Sequence, residues 1–387
     1  MKKAKVSGYI QTQYQIADTA GIKSYSGGDF KEGVDNRFMV RRGRIKADYK
    51  SKGVQTVLQI DVTEKGLAIK DAYISFSPLL LNAVTFTGGM FNRPFGYEIS
   101  YSSSMRESPE RGRMSGILFP GERDLGAKIT LHGPEKSKWN FLTLEAGLFN
   151  GTGAPKAGTD ASDFDYFKDF IGRMALSKSF KEGNIKASVA GSYYHGGWAQ
   201  DTVFNFTIGQ INDSTSGFVK SSGKVKRFTK AEREYAGADA QLAFQSAWGK
   251  TVLRAEYIAG RQPGNSKNSD SPQARPADNT YFRKFNGAYF YFIQSIKETG
   301  LSVVLKYDWF DPNSDMQGNT IGKTGNNTSQ ADLKYTTLGS GLRYDLKGGL
   351  SFTAWYDMVK NETTQNIEGY QKDIKDNVIT LRMQLKF

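Results

Sequence analysis

One feature constrains this chain more than any other: segments of alternating polarity recur from end to end, and the gaps between them are alternately short and long. In the stretch 301–309, Leu301, Val303, Leu305, Tyr307 and Trp309 share one face, while Ser302, Lys306 and Asp308 share the other and Val304 is the exception. At the end of the chain, Ile379, Leu381, Met383, Leu385 and Phe387 oppose Thr380, Arg382, Gln384 and Lys386. A period of two with one apolar face means a strand with one greasy side. Strands of this kind are expected at about 4–16, 36–49, 54–62, 67–77, 83–91, 124–132, 139–149, 168–180, 185–198, 232–247, 251–262, 281–294, 301–311, 332–346, 351–361 and 374–387, about 16 in all.

The gaps carry the rest of the information. Lys50–Gly53, Pro78–Asn82, Gly133–Lys138, Lys181–Asn184, Trp248–Lys250, Ser295–Gly300 and Lys347–Gly349 are short, and most carry the Gly, Asn or Pro that tight turns need. The stretches 17–35, 92–123, 150–167, 199–231, 263–280, 312–331 and 362–373 are long, with Thr63–Gly66 the one short member on their side. A compact soluble domain rarely holds several structureless loops of this length. A membrane barrel has short turns at one rim and long loops at the other, with an even number of strands. No internal repeat argues for a propeller or solenoid.

Composition agrees. Hydrophobic residues are 38% and mean hydropathy is −0.52. The longest apolar runs, such as Tyr289–Ile293, fall far short of the roughly 20 residues a spanning helix needs. A barrel hides its apolar content in alternation, because every second residue faces a wet lumen. Its 20 Tyr and 25 Phe suit aromatic girdles at two membrane interfaces. The expected fold is therefore all-β: one transmembrane antiparallel β-barrel over 1–387, its apolar skin against outer-membrane lipid. Phe387, an aromatic ending an alternating strand, is expected to close the last strand.

Several other chemistries find little support. With no Cys there is neither a disulfide framework nor a thiolate metal site. Net charge is +13, but the one basic cluster, Lys220–Lys230, comes without a recognition module, so no nucleic-acid partner is expected. His132 and His195 have no Ser and Asp set around them, so no catalytic residue is assigned. The acidic stretch Asp160–Asp169 lacks EF-hand spacing and reads as a solvated loop; no metal or cofactor is expected. Met1-Lys2-Lys3 resembles the start of an export signal with no apolar stretch behind it, and the expectation is that a signal has been removed.

The best-marked insertion is 92–123. Pro94, Pro109 and Pro120 stiffen it. Arg93, Arg106, Arg111, Arg113 and Arg123 accompany Glu98, Glu107, Glu110, Glu122 and Asp124. This balance suggests salt bridges through Glu98, Glu110, Glu122 and Asp124 that pin the loop to a wall, with spare guanidinium groups toward a pore. The run GMFNRPFGYE, the downstream SPER and the FPGERDLG end resemble the phosphate-selective porin family of O and P type. Arg41-Arg42-Gly43-Arg44, Ile69–Tyr73 and the terminal VITLRMQLKF resemble it too, and the motif-rich part covers roughly 36–131. The resemblance implies a sixteen-stranded barrel, a homotrimer, an inward-folded third external loop as constriction, and arginines that guide anions. Arg42 and Arg44 match the family's paired arginines, and Arg93, Glu110 and Arg111 its loop frame.

The expected lumen face is mixed. Arg44, Lys46, Lys128, Arg173, Arg254, Lys306, Arg343 and Arg382 are basic, against Asp48, Asp61, Asp71, Glu145, Glu256, Asp308, Asp345 and Asp357. Arg grips phosphate best where no carboxylate competes, so the balance points to mild anion preference in passive diffusion of small solutes. A plugged or ligand-binding barrel, serving as adhesin or protein anchor, is the alternative. The second strand has a phase conflict: Phe38 and Val40 share parity with Arg42, Arg44 and Lys46, while Ile45, Ala47 and Tyr49 have the other. Either a bulge near Arg41–Gly43 shifts the register or Phe38 lies above the membrane.

Overall fold

The computed structural model describes residues 3–78, 83–134, 136–154, 163–180 and 183–387. Within them, eighteen strands form one sheet. Sixteen build a closed antiparallel cylinder, and the other two form a hairpin outside it. In chain order the strands are β1 (Lys3–Ala17), β2 (Asn36–Ser51), β3 (Val54–Thr63), β4 (Gly66–Phe76), β5 (Val84–Asn92), β6 (Arg123–His132), β7 (Leu142–Phe149), β8 (Asp169–Phe180) and β9 (Ile185–Ala199). The hairpin follows as β10 (Asn205–Asn212) and β11 (Thr215–Lys220). Then come β12 (Lys230–Ser246), β13 (Gly249–Gly264), β14 (Thr280–Ser295), β15 (Leu301–Asp311), β16 (Tyr335–Asp345), β17 (Leu350–Asn361) and β18 (Val378–Lys386). Each wall strand pairs with its sequence neighbour, β9 pairs with β12, and β1 pairs with β18 to close the ring. Phe387 adds the last rung, trading backbone hydrogen bonds with Gly8 in both directions.

The distribution of burial is inverted relative to a water-soluble fold. On β15, Leu305 and Tyr307 are exposed while Lys306 and Asp308 are buried. On β18, Ile379, Leu381, Met383 and Leu385 are exposed while Thr380, Arg382 and Gln384 are buried. A protein in water would not turn its aliphatics out and its charges in, since exposed apolar surface costs roughly 25 cal/mol per Å². In a bilayer the same surface is matched, and the closed ladder leaves no backbone edge unpaired in lipid.

The phase conflict in the second strand is resolved by a bulge. Gln11 pairs with Arg42 and Thr12 with Val40, so Arg41 is the extra residue. Phe38 on one side and Ile45 on the other then both face outward, and Arg42 and Arg44 are buried within. A second bulge, not foreseen, sits in β4: Gln59 pairs with Asp71 and Ile60 with Ile69, leaving Lys70 as the extra residue.

The stretch 199–231 departs from the expected structureless loop. β10 and β11 fold over one rim, with Asn205–Thr207 running parallel to Thr280–Phe282 of β14. Phe218 stacks edge-on to Tyr281 and donates its backbone N–H to Asn326, so loops on neighbouring hairpins are welded together. Residues 79–82 of the expected turn Pro78–Asn82, Glu135 of the next, Lys181 and Glu182 of another, and Asp160 to Ser162 of the acidic stretch lie outside the described residues.

Candidate functional site

The segment between β5 and β6 is bonded to wall strands far apart around the ring, always through side chains of the buried parity. Ser103 meets the Tyr9 hydroxyl at 2.6 Å, and its carbonyl accepts from Gln11 on β1. The Ser104 carbonyl accepts from Gln384 on β18. Glu107 takes both terminal nitrogens of Arg254 on β13. Glu256, also on β13, accepts the backbone N–H groups of Tyr97 and Glu98 at 3.0 Å and the Tyr289 hydroxyl at 2.8 Å. Arg343 of β16 donates to the carbonyl of Arg106.

An apolar anchor accompanies these bonds. Phe95 and Phe119 of the segment pack against each other and against Tyr194 of β9 and Tyr235 of β12. Ile99, Met114, Ile117 and Leu118 join the same buried cluster with Phe285 and Phe310. Met114, Ile117 and Leu118 come from a short helix, α1 (Arg113–Leu118). Fully burying one such aromatic is worth roughly 1.5–3 kcal/mol, so the cluster fixes the segment at least as firmly as its charges. Gly96 shows how close the fit is: at φ +57°, a Cβ there would lie 1.9 Å from Glu256 Oε1.

Glu110 is the electrostatic hub. Arg41 Nε lies 2.9 Å from it, Arg42 Nη2 2.6 Å and Arg382 Nη2 2.7 Å. Burial alone would raise its pKa, but these guanidinium groups outweigh burial and hold the carboxyl well below the usual range. Glu122 is a second hub, paired with Arg111 and with Arg123 at 2.9 Å, and is depressed for the same reason. Burial and the neighbouring Arg106 push the Arg111 guanidinium down, to about 9; it stays cationic at neutral pH.

Two expected salt bridges are corrected. Glu98 forms no ion pair among the described residues; it accepts from Gly112 N–H, Ser115 Oγ and the Tyr291 hydroxyl, bracing the segment from within. Asp124 likewise accepts backbone N–H groups, from Leu125 and Gly151, at the root of the next loop. A ring of neutral donors satisfies a buried carboxylate without a cation, which charge counting along a sequence cannot foresee.

The remaining expected site residues fall into two groups. Most wall cations are tied to carboxylates: Arg44 to Asp61 at 3.4 Å, Lys46 to Asp48 at 3.7 Å, Arg123 to Asp71 at 3.1 Å, Arg173 to Asp239 at 2.9 Å, Lys306 to Asp308 at 3.0 Å and Arg343 to Asp345 at 2.7 Å, with Lys128 on Glu145. Others serve the packing. Arg93 is buried on the Phe119 ring and donates to the Pro120 and Glu122 carbonyls; Arg113 lies between the rings of Tyr25 and Tyr335. Arg106 differs from all of these. It is 4% exposed, its nearest carboxylate is Glu110 at 4.0 Å, and none of its three guanidinium nitrogens has a hydrogen-bond partner. Sequence reasoning missed Arg41, Lys70, the serine pins and Glu256 as an anchor. The signal for the two bulge residues is a phase conflict in each strand: the one noted in β2, and in β4 Leu67 and Ile69 of one parity against Ile74 and Phe76 of the other.

A cavity of about 940 Å³ borders Glu122, its wall formed by residues of β2, β3, β4 and β9, the 116–122 part of the segment, the loop before β2, the β3–β4 turn and the loop after β13. The architecture is shared with solved outer-membrane proteins. OprB of Pseudomonas putida superposes with a TM-score of 0.60 at 9% identity, over 99% of this chain and 94% of that one. The outer membrane channel DcaP of Acinetobacter baumannii gives 0.57 at 15% identity, over 100% and 97%. Salmonella typhi OmpF, solved with daunomycin, gives 0.54 at 12% identity, over 100% and 98%. The chain has a porin fold. Identities this low carry the fold alone. OmpT of Vibrio cholerae, an outer membrane protein solved in a trimer form, shares it with a TM-score of 0.53 at 10% identity, over 100% of this chain and 99% of that one. No protein-family profile matches the chain, and no curated protein matches it by sequence.

Proposed function

We propose that this protein is an outer-membrane porin through which small solutes diffuse passively, with mild preference for anions, and that residues 92–123 fold into the bore as its constriction. The observation that carries the reading is the polarity of the cylinder. Aliphatic side chains are turned outward, ion pairs inward, and the 93–122 segment is bonded to the inward parity of strands on opposite sides of the ring. A polypeptide spanning the interior of a wide barrel narrows it without needing a hinge.

The sign of the selectivity follows from a count. Wall cations are largely matched by carboxylates, so the bore is not a dense arginine ladder. The excess lies at the Glu110 hub, where Arg41, Arg42 and Arg382 share one carboxylate, and in Arg106, whose guanidinium nitrogens have no hydrogen-bond partner; Glu98, Asp124 and Glu256, held by neutral donors, offset part of it, which keeps the preference mild on a chain of net charge +13. Excess charge in a low-dielectric channel concentrates the opposite ion. A dedicated phosphate site would gather bidentate donors free of carboxylates, so the proposal is general anion preference and not phosphate specificity. A homotrimer is proposed with the fold.

One observation favours the filled-barrel alternative: the aromatic cluster of the segment covers the inward faces of β8, β9 and β12–β15. Bilayer recordings separate the two. Under a tenfold KCl gradient, the porin reading expects a reversal potential displaced modestly to the chloride side. A potential on the potassium side would remove the anion assignment.

A further inference from the structure

We propose that the 940 Å³ cavity is a binding site for small amphipathic organic anions, taking an acidic head on one wall and an apolar body on the other. This rests on the porin reading and names the solute class that the same bore would favour.

The two walls differ in kind. Arg42, Arg44 and Lys70 line one side, with the paired carboxylates Asp61 and Glu122 among them; Tyr25, Trp198 and Pro272 supply the apolar lining. The cationic wall is made by the two β-bulges. In an unbroken ladder, successive residues point to opposite faces, and Arg41–Arg42 or Lys70–Asp71 would each send one charge into lipid. The extra residues at Arg41 and Lys70 turn both members of each pair toward the interior. Both extra residues line this one cavity. Bulges recur where a side chain must be re-aimed beside a functional site.

The head-group wall also has capacity to spare. Lys70 has no bonded partner among the described residues. Arg44 reaches Asp61 only at 3.4 Å and spends a second nitrogen on Ser103 Oγ at 3.1 Å. On the far wall, Tyr25 and Trp198 supply aromatic surface on the sides not covered by Arg113 and Arg233, and Asp270 stands beside the Tyr25 hydroxyl at 3.4 Å. A carboxylate there disfavours a second acidic group on the distal end, which selects monoanions with an apolar tail. The volume suits this class: pockets for small organic ligands run to about 300–1,000 Å³. Inorganic ions are far smaller and would gain nothing from the aromatic wall.

The test uses the full chain in planar bilayers carrying a chloride current, with 2-naphthoate, acetate and neutral 2-naphthol as blockers. Half-block by 2-naphthoate is expected at a concentration at least tenfold below that of either control. Lys70→Gln and Tyr25→Ser are each expected to raise the 2-naphthoate value at least threefold; Tyr25 lies in a loop and is 38% exposed, so its replacement spares the barrel. Equal block by 2-naphthoate and acetate, equal block by 2-naphthoate and 2-naphthol, or no change in both variants overturns the proposal. Reversal potentials from the same membranes keep the two layers apart. A chloride-side potential without discrimination among blockers removes the site alone, and a potassium-side potential removes the reading beneath it.

Discussion

Replacing Glu110 by Gln is the sharpest perturbation of the interior. Its carboxylate accepts from Arg41 at 2.9 Å, Arg42 at 2.6 Å and Arg382 at 2.7 Å, with its side chain 9% exposed. Removing it leaves those cations facing one another in a low-dielectric space. Breaking a buried pair by deleting one partner costs about 3–5 kcal/mol. Contributions of three guanidinium groups sharing one carboxylate do not add, so the upper end of that range is the ceiling. Unfolding in urea from lipid vesicles, followed by tryptophan fluorescence, should show E110Q destabilised by that amount. The double variant E110Q/R382Q should lose less than the sum of the singles, because contacting residues couple. The pH dependence has a definite sign. Glu110 is depressed in the folded state, so its contribution is complete above its ordinary value of 4.5 and is lost as pH falls through the depressed value. Parent and variant should therefore converge only in strong acid. A loss below about 1 kcal/mol at pH 7, or convergence by pH 6, would refute the claim that this hub holds the segment.

Gly96→Ala should displace the segment from β13, since the added Cβ meets Glu256 at a backbone conformation that favours glycine; altered single-channel conductance with an intact barrel by circular dichroism would register it. Leu305→Arg, on the exposed aliphatic face of β15, should destabilise the inserted barrel by roughly 2–4 kcal/mol if it sits near the bilayer midplane, measured as the shift in urea unfolding. Asp376, in the loop before β18, is pushed up to about 6 by burial, with Asp373 adding to the rise against Arg113. A carboxyl raised in the folded state favours the fold once protonated, so that loop should exchange its amides more slowly at pH 4.5 than at pH 7 after correction for intrinsic rates.

The wall was legible because strand alternation is enforced residue by residue: lipid on one side and water on the other leave little freedom, and the expected strand positions lie within a few residues of those found. The bulge in β2 was legible for the same reason, since Phe38 and Ile45 could not otherwise both face out. The bulge at Lys70 carries the same kind of signal, in Leu67 and Ile69 of one parity against Ile74 and Phe76 of the other, and it was missed. Charges announced that the 92–123 segment is pinned. They did not announce the pairing pattern, because Glu98 and Asp124 are satisfied by neutral donors brought close only by the fold. The aromatic anchor was hidden as well: Tyr194 and Tyr235 sit on the inward parity, where a polar residue is expected. The hairpin of β10 and β11 is short, and its Phe206 and Phe218 are buried, and its Ile208 half-buried, only by packing against Tyr281 and neighbouring loops.

The central claim is that a water-filled passage runs past the pinned segment. Single-channel recording of the purified, detergent-refolded chain in a planar bilayer tests it most directly. Stepwise, ohmic current increments that scale with salt concentration are the predicted result. Inserted protein that gives no current steps, with correct barrel spectra, would contradict it and leave a closed cylinder in its place.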